Sequence, residues 1–156
     1  MTPNPTTTPP SSGGGEALTQ ADEELLAAAR EVLPRAHCPY SGFRVGAAVR
    51  AEGGEVFAAV NVESASFGLT LCAERAAIAA AVTAGAHQLV AVAVVTEGSE
   101  PVAPCGACRQ LLAEFGERMR VISAGSNTRS WVTTMDQLLP HPFLACPDNK
   151  GDDRAS

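Results

Sequence analysis

Residues 89–96 read Leu-Val-Ala-Val-Ala-Val-Val-Thr, apolar at every position but the last. With no polar face, this strand must be covered front and back, which places it at the centre of a sheet lying between helices. Working outward, 71–84 (closed by Gly85) and 107–115 (closed by Gly116) have the composition and C-terminal glycine of helices. Upstream, Thr19 is placed to cap a helix through ADEELLAAAREVL (21–33), with Asp22 and Glu23 at its positive end and Pro34 as its stop. The β-like runs 43–50 and 55–62, separated by Glu52-Gly53-Gly54, predict a hairpin. Short strands at 119–124 and 129–133 and a last helix at 135–139 complete the order α-β-β-α-β-α-β-β-α. The fold class is α/β: three layers, α-β-α, with a mixed sheet of about five strands and helices on both faces.

The chain has 156 residues, 46% of them hydrophobic and 18% charged, which suits one globular domain. With one Trp, one Tyr and five Phe, its core must be built mostly from Ala, Val and Leu. A net charge of −6 argues against a nucleic-acid partner, since phosphate neutralisation needs clustered Lys and Arg. Residues 1–15, MTPNPTTTPPSSGGG, are expected to form a disordered tail, 16–145 the folded domain and 146–156 a flexible end. The first basic residue is Arg30, so no basic n-region of a secretory signal is expected; nor does any apolar run approach a membrane span, and no membrane partner is expected. Five cysteines without such a signal favour metal or redox chemistry in the cytoplasm over a disulfide framework.

Two motifs fall where strand gives way to helix: Cys72-Ala73-Glu74-Arg75, and Pro104-Cys105-Gly106-Ala107-Cys108-Arg109-Gln110. Unpaired N–H groups at a helix N-terminus lower a thiol's pKa, and metals bind thiolates. Catalytic zinc takes three protein ligands and leaves a fourth position open. Cys72, Cys105 and Cys108 supply three, and Glu74, two residues after Cys72, turns elsewhere. One His or Cys followed two residues later by a non-ligand Glu, then Pro-Cys-x-x-Cys, is the known pattern of zinc deaminases.

On these motifs the chain resembles the small, three-cysteine, zinc-dependent cytidine deaminases. The resemblance is carried by PYSGFRVGAAV (39–49), NVESASF (61–67), CAERAAI (72–78) and PCGACRQ (104–110), with LLPHPF (138–143) as a weaker match. It implies deamination of cytidine and 2′-deoxycytidine to uridine and 2′-deoxyuridine with release of ammonia, as in pyrimidine salvage. Zinc, one per subunit on the three cysteines, would acidify a water and deliver hydroxide to C4, while Glu74 shuttles protons to N3 and the departing amine. It further implies that Asn61 and Glu63 bind the ribose hydroxyls, that Phe43 lies against the pyrimidine, and that Ala73 offers its N–H to the base carbonyl. Arg75 would offset the charge of three thiolates, with Arg109 as a second electrostatic support. The family forms homotetramers with shared sites, so Ala65, Phe67 and Phe143 would reach a neighbouring subunit's pocket. Ser64 and Phe67 depart from the Asn and Tyr expected at those positions.

Blander readings stand beside these. A closed structural zinc site would recruit Cys38 or Cys146 as a fourth ligand and leave no room for water. A redox Cys-x-x-Cys would leave the Cys72-Ala73-Glu74 run without a purpose. Taken alone, Phe43 and Phe67 are as well explained as core side chains. Among deaminases, a blasticidin-type enzyme would share the cysteine plan but would be expected to lack Glu63, and editing deaminases would need a basic strand channel.

Overall fold

A computed structural model describes residues 17–127 and 129–144; both predicted tails, and Cys146 with them, lie outside these residues. Thr19 opens α1 (Gln20–Val32) through a capping box: its hydroxyl accepts the Asp22 N–H at 3.2 Å while the Asp22 carboxylate accepts the Thr19 N–H at 2.8 Å. The helix gives way at Leu33 to a 3-10 turn that contains Pro34. The hairpin follows as β1 (Val45–Ala51) and β2 (Val56–Val60), then α2 (Ala73–Thr83), β3 (Leu89–Thr96) and α3 (Gly106–Phe115). The chain continues through β4 (Arg120–Ala124), β5 (Ser130–Thr134) and the short α4 (Met135–Leu138). Gly85, at φ 91°, supplies the left-handed residue just beyond the end of α2.

The five strands form one sheet in the order β2-β1-β3-β4-β5, parallel between β3 and β4 and antiparallel elsewhere. Successive side chains of β3 serve opposite faces, as the pleat requires. Val92 and Val94 pack with Ala77, Ile78 and Ala81 of α2 and with Cys108 and Leu112 of α3. Ala91, Ala93 and Val95 pack with Leu25, Leu26 and Ala29 of α1. The alanines on that second face let α1 approach closely. At Gly46 the approach is closest, since a Cβ there would sit 2.3 Å from the Ala29 carbonyl oxygen.

Register explains how distant motifs meet. Val60 at the end of β2 pairs with Gly46, which pairs with Val95 near the end of β3, which pairs with Ala124. β2 and β3 therefore finish at the same end of the sheet, and the segments leading to α2 and α3 leave from that end. The helix expected over 71–84 begins two residues later than the composition suggests. Leu71 is held in a bridge with Val62, and Cys72 has extended backbone (φ −69°, ψ 150°) as the N-cap of α2. Cys105 has the same place before α3, at φ −65° and ψ 166°. Among the described residues, no helix is long and apolar enough to cross a membrane.

Candidate functional site

With Cys72 and Cys105 capping two helices and Cys108 on the first turn of α3, three sulfurs converge. All lie within 4.8 Å of one another, and the Cys72 and Cys105 Sγ atoms are 3.9 Å apart. Tetrahedral zinc with Zn–S bonds of about 2.3 Å requires sulfurs about 3.8 Å apart, so the donor set fits that ion in type, number and spacing. Neither N-cap makes a side-chain hydrogen bond to its helix, which leaves the sulfurs free to face each other. Cys38 is not part of the cluster, so among the described residues no fourth thiol closes it.

The electrostatics favour ligation. A hydrogen bond from the Cys108 thiol brings Cys72 down to about 5 against the opposing effect of burial, with further help from Cys105 and the Arg75 guanidinium. Cys108 moves the opposite way, raised by its bond to Cys72 and by burial. A divalent cation is held by thiolates, so its binding to all three would be coupled to proton release. Arg75 is fixed by a 2.7 Å hydrogen bond from its Nη2 to the Thr70 carbonyl. Arg109 is committed to backbone, donating from Nε to the Pro104 carbonyl at 2.7 Å and from Nη1 to the Leu138 carbonyl at 3.2 Å. It braces the approach to Cys105 against the C-terminal segment.

Glu74 lies on the first turn of α2 and is 5% exposed, a rare setting for a carboxyl group. Burial pushes it up from its ordinary range and the charge on Cys72 adds to this, while its own N–H opposes. Ala73, the first residue of α2, is fully buried beside it. An acid that exchanges protons near neutral pH needs such a setting.

A second group gathers where β2 ends. The Asn61 amide is used at both ends: Oδ1 accepts the Val45 N–H at 3.0 Å and Nδ2 donates to the Phe43 carbonyl at 2.9 Å. Glu63 accepts the N–H groups of Tyr40 and Ser41 at 2.9 and 3.1 Å, and its other oxygen accepts the Ser41 hydroxyl. These bonds, that of the Ser41 hydroxyl foremost, hold the Glu63 carboxyl below its usual value. Val62, between Asn61 and Glu63, exchanges two 2.9 Å backbone bonds with Leu71, the residue before Cys72. One bridge thus ties the second group to the sulfur cluster.

Exposure separates functional from core readings of the aromatics. Phe43 is 45% exposed, Phe67 78% and Phe143 82%, so none of them is a core side chain of this chain. Ala65 is exposed as well. Tyr40 and Phe67 meet edge to face with ring centroids 6.2 Å apart. Phe143 is pinned by its backbone, which exchanges hydrogen bonds with the side-chain amide of Gln110 in both directions. Gln110 and Ser41 lie within the sequence motifs, but the sequence assigns neither a role. A hydroxyl two residues before Phe43 and an amide one helical position past Arg109 were the available signals.

Comparison with known proteins agrees with this geometry. The family described as the cytidine and deoxycytidylate deaminase zinc-binding region matches residues 19–124. A cytidine deaminase from Sporosarcina psychrophila is 41% identical over 122 residues, covering 78% of this chain and 90% of that protein. The crystal structure of cytidine deaminase from Burkholderia pseudomallei superposes with a TM-score of 0.75 at 42% identity, covering 81% of this chain and all of that one. A blasticidin-S deaminase from Bacillus cereus is less similar, 30% identical over 131 residues that span 79% of this chain and 92% of that protein.

Proposed function

Since the chain belongs to the cytidine and deoxycytidylate deaminase zinc-binding family, we propose that it hydrolyses cytidine and 2′-deoxycytidine to uridine and 2′-deoxyuridine, releasing ammonia. The observation that carries this is a buried carboxyl, Glu74, on the same helical turn that presents Cys72 to a three-sulfur cluster. Cys72, Cys105 and Cys108 would hold one Zn²⁺ per subunit, which would lower the pKa of a water bound to it. Glu74 takes a proton from the attacking water onto its carboxylate and hands it to N3 of the base, then takes the proton of the hydroxyl newly added at C4 and passes it to the departing amine, leaving the carbonyl and ammonia. Burial suits it to both steps, since a carboxyl with a raised pKa holds a proton long enough to deliver it. In this reading the Ala73 N–H, at the positive end of α2, donates to the base carbonyl. Arg75 balances part of the thiolate charge, while Arg109 combines its charge with the bracing of the Cys105 segment.

In this reading Phe43 packs on the pyrimidine ring, and Asn61 and Glu63 take the ribose hydroxyls. The exposed Ala65, Phe67 and Phe143 serve the pocket of a neighbouring copy in a homotetramer. Support comes from their exposure, because aromatic rings left this open on a monomer mark contact sites. Residues 16–145 form the catalytic domain, flanked by tails at 1–15 and 146–156. The cytoplasm is the compartment that fits, since Cys38, Cys72, Cys105 and Cys108 are all free and three of them must stay reduced. The net charge of −6 supports a free nucleoside over a polynucleotide as substrate.

Replacement of the proton carrier tests the mechanism. Glu74→Ala should keep zinc at wild-type stoichiometry and lose at least about 1,000-fold in kcat, within the range expected for a positioned acid–base group. Turnover at the wild-type rate in a zinc-replete variant would remove Glu74 from the reaction.

A further inference from the structure

We propose that Ser41 is a positioning residue that locks the Glu63 carboxylate and Phe43 into one rigid unit for sugar and base. This rests on the assignment of Glu63 to the ribose and Phe43 to the pyrimidine, and goes beyond it by naming what holds both. The Ser41 hydroxyl does two things at once: its oxygen accepts the Phe43 N–H at 3.0 Å, and its proton goes to the Glu63 carboxylate. Because a carboxylate can only accept, the hydroxyl proton goes to Glu63, and a lone pair of the same oxygen receives the Phe43 N–H. Ser41 also donates its own N–H to the second carboxylate oxygen, beside that of Tyr40.

The consequence is a closed circuit. Glu63 bonds Ser41, Ser41 bonds the Phe43 N–H, the Phe43 carbonyl bonds Asn61, and Asn61 stands two residues before Glu63 on the same extended segment. A carboxylate has about four lone-pair positions. Three are occupied by Tyr40 and Ser41, which leaves one for a ligand hydroxyl. A carboxylate anchored this way meets a sugar hydroxyl without first losing its own rotational freedom, the benefit expected of a preorganised site. Phe43 is 45% exposed, so core packing alone does not fix its ring, and the backbone bonds on either side of it set its place.

The test uses the zinc-loaded full-length protein and steady-state kinetics with cytidine on Ser41→Ala, Ser41→Thr and Glu63→Ala. Ser41→Ala is expected to raise KM about tenfold while kcat stays within about twofold, the pattern of lost binding without lost chemistry. Ser41→Thr, which keeps the hydroxyl, should return KM to within about twofold of wild type. Should the Ala variant fail to fold, Ser41→Cys, with a far weaker donor, is scored the same way. A Ser41→Ala KM equal to wild type, with Glu63→Ala impaired, would overturn the role of Ser41 alone. Equal impairment of the Ala and Thr variants would overturn it too, by assigning the effect to the turn instead of the hydroxyl. An unchanged KM in Glu63→Ala would instead remove the ribose assignment, and the proposal with it.

Discussion

Replacing Asp22 tests how α1 is fastened to the sheet. Its side chain is only 4% exposed and serves two partners: it closes the capping box with Thr19 and accepts three hydrogen bonds from Arg120 on β4, at 2.9–3.1 Å. Loss of an N-terminal cap costs about 1 kcal/mol. Breaking a buried ion pair costs about 3–5 kcal/mol, which falls to about 2 here because Arg120 remains partly in solvent. Arg120 is 21% exposed and also reaches the Ala17 carbonyl. Asp22→Ala should therefore lose about 3 kcal/mol, and Asp22→Asn, which can still accept the Thr19 N–H, about 2. With a urea m-value of about 1.5 kcal/mol/M, the Ala variant's midpoint falls by about 2 M. The assay is urea unfolding by circular dichroism at one protein concentration, since assembly would couple to stability.

The same pair sets a pH signature. Burial raises the Asp22 carboxyl, but the bonds from Arg120 and Thr19 outweigh it and hold the group below its ordinary range. A carboxyl depressed on folding adds stability that is complete above its unfolded value, near 3.9, and is lost as pH falls through its folded value. The gap between wild type and Asp22→Asn should stay constant from about pH 7 to pH 5 and close below about pH 4. An Ala variant within about 0.5 kcal/mol of wild type would refute the fastening role.

Three further outcomes are expected. Gly46→Ala should destabilise by about 1–3 kcal/mol in the same assay, because its Cβ would meet the Ala29 carbonyl at 2.3 Å and push α1 off the sheet; unchanged stability would show that α1 shifts freely. Cys105→Ala should lose zinc by elemental analysis, and full retention would mean that the ligand set is wrong. Size-exclusion chromatography with light scattering should find a tetramer of the 16.0 kDa chain, and a fully active monomer would end the shared-site reading.

Much of this architecture is readable from sequence where a single physical demand dominates. The apolar run 89–96 is β3 to the residue, because a strand covered on both faces carries no polar alternation. Thr19 and Asp22 mark the start of α1 because a capping box needs those side chains at that spacing. The start of α2 is displaced by two residues because Cys72 caps without a side-chain bond and leaves no compositional mark. That β1, and not β2, lies beside β3 is likewise invisible, since both strands of the hairpin are similarly apolar. Within the site, the three cysteines and Glu74 stand out by residue type and spacing. Ser41 and Gln110 do not, because their partners, the Glu63 carboxylate and the Phe143 backbone, lie 22 and 33 residues away and are brought near only by folding.

Ammonia release from cytidine and from 2′-deoxycytidine, with zinc quantified in the same preparation, decides whether the three-cysteine site and Glu74 deaminate a cytosine nucleoside. About one zinc per subunit and ammonia in step with uridine or 2′-deoxyuridine are expected. Zinc-replete, folded protein that releases ammonia from neither nucleoside would contradict that role, and release from blasticidin S alone would assign the site to a different substrate.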